Sequence, residues 1–137
     1  MGQDERYCEL KTKDSGILRQ LLEIRYHSIL IDIVCFIDER YYDSCLCTCG
    51  FRDGDTGVHG QNPCRGFDLR EWAFHDPKAV CDAVNDRWIY DPDRPQKLVA
   101  KIHTSKNKWA GEKPGKHIHI QSHPNTRRRS NGRTVSE

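Results

Sequence analysis

The run His117-Ile118-His119-Ile120 alternates imidazole with branched aliphatic side chains, and this period of two belongs to an extended strand. On such a strand both histidines share one face and both isoleucines the other. An apolar face of this kind has to be covered by a second layer, so the chain is committed to a sheet packed on one side and open to chemistry on the other. A half-exposed strand that happens to use histidine satisfies the same pattern, and the partners of the two imidazoles decide between the readings.

The rest of the chain supplies the covering layer. With 137 residues there is material for one domain. Asp14 or Ser15 can cap a helix carrying Ile17, Leu18, Leu21, Leu22 and Ile24, and apolar positions continue through Ile29, Leu30, Ile33, Val34 and Ile37. One long helix or two consecutive ones ending near Tyr42 fit this segment, and the Ile/Val content leaves a strand open for 29–37. Cys45 to Phe51 alternates as a short strand, residues 52–66 hold four Gly and one Pro in a loop, and Phe67 to Arg70 alternates again. Asp76-Pro77 opens a helix through Trp88, Leu98 to His103 is a strand, 104–116 a loop, and His117 to Gln121 the last strand. The expected fold is α+β, a small antiparallel sheet with helices packed on one face. Residues 14–124 form the domain, between a flexible N-terminus (1–13) and a disordered basic tail (125–137). Trp72, Trp88 and Trp109 are expected in the core or in pocket walls.

Charge narrows the function classes. The chain has 22 Lys+Arg and 20 Asp+Glu, but the last eleven residues hold four Arg and one Glu, so the preceding 126 carry 18 basic against 19 acidic groups. A body so close to neutral lacks the cationic face that gripping a nucleic-acid backbone requires, and no nucleic-acid partner is expected. Neither an export signal nor a run of about 20 apolar residues is present, so no membrane partner is expected. The reading places the chain in the cytoplasm of the producing cell, as a monomer. Seven Cys in such a chain suggest reduced thiols or metal ligands before disulfides. Cys45, Cys47 and Cys49 alternate and would face one side, where Cys35 or Cys64 could complete a four-thiolate zinc site. Paired C-x-x-C knuckles are absent, so a core of small thiols fits as well. Cys64, inside the 52–66 loop, could also compete for a metal.

Two histidines on a rigid strand call for a third donor. Asp68, between Phe67 and Leu69, turns its carboxylate away from the core that receives its neighbours, and His59 stands nine residues earlier in the loop. Two His and one Asp gathered from a loop and two strands meet the demand of a catalytic zinc ion for three protein ligands. An ion pair of Asp68 with Arg65 or Arg70 is the alternative.

The run from Cys49-Gly50-Phe51-Arg52 to His59, then Arg65-Gly66-Phe67-Asp68, Tyr90-Asp-Pro-Asp-Arg-Pro95 and the closing His-Ile-His-Ile-Gln resembles the phage-type zinc peptidases of the D-alanyl-D-alanine carboxypeptidase and hedgehog superfamily. The resemblance spans roughly residues 15–121. It implies that His59, Asp68 and His119 bind Zn²⁺, that His117 lies beside them as base or transition-state stabiliser, and that the substrate is a peptide of bacterial peptidoglycan. The implied reaction is amide hydrolysis by a water that zinc activates, as in a phage lysis enzyme or virion-associated enzyme that reaches the wall after release. Arg52 would stabilise the oxyanion or hold a substrate carboxylate, or else pair with Asp53 or Asp55 at the surface. His103 would be a supporting or structural histidine.

The chain departs from that family at two places. Eight residues separate His59 from Asp68 where the family has six, so the loop is expected to bulge around Gly60 to Cys64. The acidic base that the carboxypeptidase branch places three residues before its last ligand is here Lys116, which passes the role to His117, with Glu112 as the other candidate. Lys116 also keeps open a non-catalytic zinc-containing binding module of the same fold. A small Cys/His zinc protein that binds nucleic acid through its Arg tail is the third alternative.

Overall fold

The computed structural model describes residues 10–41, 45–105 and 115–129. In chain order the elements are β1 (Lys11–Thr12), α1 (Ser15–Glu23), α2 (Ser28–Arg40), β2 (Leu46–Cys49), β3 (Gly66–Arg70), α3 (Pro77–Arg87), β4 (Trp88–Ile89), β5 (Ala100–Ser105), β6 (Gly115–Gln121) and β7 (Arg127–Arg128). Five strands form one sheet in the order β1-β2-β3-β6-β5, and β4 pairs with β7 apart from it. This is an α+β architecture, as expected, although the sheet is not wholly antiparallel: β1 runs parallel to β2, with Lys11 opposite Leu46.

The apolar segment after Asp14 resolves into two helices. Asp14 caps α1 by accepting from the Ile17 amide at 3.0 Å. Ile24 leaves helical geometry (φ −98°, ψ 139°), and Tyr26 then forms a parallel bridge to Cys64. The Cys64 amide donates to the Arg25 carbonyl and the His27 amide to the Cys64 carbonyl, both at 2.8 Å. These bonds use backbone groups that a continuous helix would need, so the break is set by the distant 52–66 loop. The Ile/Val-rich run 29–37 is helical, with Leu30, Ile33, Val34 and Ile37 buried along one face of α2. Asp76 caps α3 by accepting from Ala79 at 3.1 Å, with Pro77 in the first turn.

The core lies between the helices and one face of the sheet, where Leu30, Ile33 and Ile37 of α2 and Val80 and Val84 of α3 meet Phe67, Leu69, Ile118 and Ile120. Each fully buried Leu or Ile contributes roughly 1.5–3 kcal/mol relative to exposure. A one-residue slip of β6 would exchange both isoleucines for histidines, so burial fixes the register. In that register Asp68 stands opposite His119 and His119 opposite Lys101, while Arg70, His117 and His103 form the next row. The helix-free face of the sheet therefore carries Asp68, His103, His117 and His119 together.

Several boundaries differ from expectation. Lys11 and Thr12, assigned to a flexible N-terminus, add a strand to the sheet edge; residues 1–9 lie outside the described residues. Part of the segment assigned to a disordered tail is built in: Thr126 is buried, its hydroxyl donates to the Tyr90 carbonyl at 2.6 Å, and Arg127–Arg128 pair with Trp88–Ile89. Residues 130–137 lie outside the described ones. That pairing ends α3 one residue early and turns Trp88 into a buried strand residue. Trp72 is exposed, under the Arg70 guanidinium at 4.8 Å, and Trp109 lies outside the described residues. Among the described residues no helix is long and apolar enough to cross a membrane.

Candidate metal centre

His59 reaches the sheet from a single 3₁₀ turn, Val58–Gly60, in the loop between β2 and β3. The loop folds back on itself through Arg52 N–H to His59 O at 2.8 Å and Arg65 N–H to Val58 O at 3.0 Å. A Cβ at Gly60 would overlap the Asp55 backbone carbonyl, so only glycine permits this closure. After the turn at Val58–Gly60 the loop runs to the Tyr26–Cys64 bridge.

The loop brings His59 over Asp68. His59 Nε2 lies 3.2 Å and His119 Nδ1 3.0 Å from the same oxygen, Asp68 Oδ1. His117 Nε2 is 3.6 Å and Arg52 Nη2 3.7 Å from Asp68 Oδ2. His59 and Asp68 are 5% and 4% exposed, so these groups meet with little water between them.

The outer nitrogens fix the tautomers. His59 Nδ1–H donates to the Gly50 carbonyl at 2.6 Å, which leaves Nε2 facing the carboxylate. Gln121 donates its amide to the Leu98 carbonyl at 2.8 Å, so its Oε1 faces His119 Nε2, 3.1 Å away, and accepts from it. Nδ1 of His119 is thereby turned on Asp68. Two imidazole lone pairs and one carboxylate oxygen converge with nothing between them to share, and a proton or a metal ion has to supply the positive charge. Burial works against a charged His59, but its bonds to Asp68, Cys49 and Gly50 outweigh burial and push its pKa up to about 10. Burial likewise opposes ionisation of Asp68, yet bonds from His119 and His59 hold its carboxyl well below the usual range.

The ligand atoms of Asp68, His117 and His119 lie within 4.8 Å of one another, and so do those of Cys49, His59 and Asp68; either group can hold a metal ion. Asp68 belongs to both, whereas His59 and His119 fall in different groups, which share only Asp68. His103 lies on the outer side of the cluster, its ring centroid 5.1 Å from that of His117 and 6.2 Å from that of His119. Burial pulls the pKa of His117 below its ordinary value, leaving a neutral imidazole near pH 7. Arg52 is shared: Nη1 pairs with Asp55 at 2.8 Å while Nη2 reaches Cys49 Sγ at 3.2 Å and Asp68, so both readings of this residue describe part of its environment. A cleft of about 370 Å³ opens over these groups, with Tyr90, Lys97 and Lys101 on its rim.

All six residues assigned from sequence, His59, Asp68, His119, His117, Arg52 and His103, line this cleft. Glu112 lies outside the described residues. Cys49 overturns an expectation. Cys47 stands opposite Leu69 on the core side, but a β-bulge between Cys47 and Cys49 places Cys49 opposite Asp68, on the site side. The three cysteines thus do not share a face. Cys45 and Cys47 are in the core, and Cys64 is buried with its sulfur toward the carbonyls of His59 and Gly66, away from the cleft. For Cys49 burial raises the thiol pKa, and bonds to His59 and Arg52 more than reverse it, so the group ionises more readily than a free thiol. Gln121 was also missed, although its position two residues after His119 on the same strand face is a usable signal.

No family model, curated protein or solved structure matches this chain.

Proposed function

We propose that the chain is a zinc-dependent peptidase acting on the peptides of bacterial cell-wall peptidoglycan. The observation that carries this reading is the convergence of His59 Nε2 and His119 Nδ1 on one oxygen of buried Asp68, at 3.2 and 3.0 Å, beneath an open cleft. Two imidazoles, one held from behind by a backbone carbonyl and one by a side-chain amide, together with a buried carboxylate are a donor set suited to Zn²⁺, and His59, Asp68 and His119 would hold it. Zinc bound there supplies Lewis acidity, which activates water and polarises an amide carbonyl at neutral pH.

The chain's own groups do the remainder. His117, kept neutral by burial, accepts a proton from the attacking water and returns it to the leaving amine. Arg52, half exposed at the cleft and anchored by Asp55, meets the developing negative charge or a substrate carboxylate. His103 packs against His117 and limits its rotation. The cell-wall substrate rests on the sequence resemblance.

Metal analysis of the purified chain is expected to give one zinc per chain, lost in His119→Ala and Asp68→Ala. Digestion of purified peptidoglycan, read by mass spectrometry, is expected to release cleaved peptides. Unchanged metal content in both variants would defeat the metal assignment. Lys116 favours a second reading: it stands where the family's acidic base would be, in register with Thr104 and exposed. Zinc bound without any cleavage would establish a non-catalytic binding module.

A further inference from the structure

The Cys49 sulfur meets both charged and imidazole groups. Its Sγ lies within 4.8 Å of the ligand atoms of both His59 and Asp68 and 3.2 Å from Arg52 Nη2. It reaches them because the β2 ladder is broken: without the bulge the residue would share the core face with Cys47, opposite the strand side that carries Asp68. While Nη1 of Arg52 pairs with Asp55, Nη2 lies against both the sulfur and Asp68 Oδ2, which sets a cation beside the two donors. The sulfur's contact with the Gly50 carbonyl, at 3.7 Å, is long.

We infer that the metal centre takes the thiolate of Cys49 as a fourth protein ligand beside His59, Asp68 and His119. The inference rests on the metal reading given above. One sulfur, two nitrogens and one oxygen would be four donors of the kinds zinc takes, and zinc in hydrolytic sites can admit a further donor, so the sulfur would not close the centre to a substrate. Cys49 binds as the thiolate, and its proton passes to the solvent. A soft donor also sets the metal preference, toward Zn²⁺ and away from Mg²⁺ and Ca²⁺.

The test loads the metal-free full chain with Co²⁺ and records its absorption spectrum. The expected result is the relatively strong visible bands of four-coordinate Co²⁺ together with a sulfur-to-cobalt charge-transfer band in the near ultraviolet. Cys49→Ser should keep the visible bands and lose the ultraviolet one, whereas Cys35→Ser, at an exposed position, should keep both. Visible bands without the charge-transfer band in the unaltered chain would overturn the role of Cys49 and leave the metal reading standing. Failure to bind Co²⁺ or Zn²⁺ at all would overturn both. Should Cys49→Ser not fold, zinc-edge X-ray absorption on the unaltered chain decides: a sulfur neighbour at about 2.3 Å supports the inference, and a shell of nitrogen and oxygen alone at about 2.0–2.1 Å refutes it.

Discussion

His119 and Gln121, two residues apart on one face of β6, are joined Nε2 to Oε1 at 3.1 Å, and this bond decides which imidazole nitrogen is left for Asp68. Gln121 can play that part because its own amide is tied to the Leu98 carbonyl. Gln121→Leu keeps an apolar fit in a buried position but frees the ring to rotate. Zinc affinity is expected to fall about 10–100-fold, as for other partners that orient a metal-binding histidine. Competition with a chelating dye measures it, and an unchanged affinity would show that the ring is held by something else.

In the proposed metal site, metal and proton would compete for His59 Nε2. In the metal-free chain the folded-state pKa of His59 is about 10 against an ordinary 6.5, so its contribution to stability is complete below pH 6.5 and is lost as pH rises toward about 10. Asp68 acts in the opposite sense: its folded-state pKa lies below 3.8, so its contribution is present above that value and lost on further acidification. Denaturant melts of metal-free protein should therefore weaken steadily above pH 6.5. Zinc binding within that window should release about one proton from His59, with more if the Cys49 thiol ionises. Calorimetry in buffers of different ionisation enthalpy counts the protons, and a count of zero would place a neutral His59 in the metal-free chain.

Under the proposed function, a change at His117 separates hydrolysis from metal retention. His117→Gln should lower the cleavage rate by about 10²–10⁴-fold, the range for loss of a general base, while zinc content stays at the level of the unaltered chain. Because burial depresses the pKa of His117, the acid limb of the rate profile should fall below pH 6.5. An equal loss of zinc and of rate would make His117 a ligand.

Gly50 links the cleft to the interior. Its carbonyl accepts from His59 Nδ1, and a Cβ at this position would run into the Tyr26 hydroxyl, which also accepts from the Phe51 amide at 3.1 Å. Gly50→Ala should push the carbonyl off His59 and lower both melting temperature and zinc affinity. Tyr26→Phe removes the atom that the new methyl group meets, so the double variant should be more stable than the two single losses added together. Full additivity in a double-mutant cycle would mean that the two residues do not clash.

The alternation at 117–121 was legible in the sequence because a period of two needs no partner to be read, and the caps at Asp14 and Asp76 were legible because each acts on an amide three residues away. What escaped depends on remote partners. The helix break at 24–27 is made by Cys64, β7 exists only against β4, and β1 only against β2. Cys49 is the clearest instance: alternation placed it with Cys47, and only the pairing with β3 shows that one irregular step moves it to the other face.

The pleat of β6 separates two kinds of tolerance to change. Ile118 and Ile120 are fully buried and carry the stability of the sheet, while His117, His119 and Gln121 line the cleft. Randomising these three positions together with Asp68 and His103 therefore alters donor type and geometry without altering core volume. The strand is a substrate for directed evolution in which metal preference and reaction type can drift while the fold stays fixed.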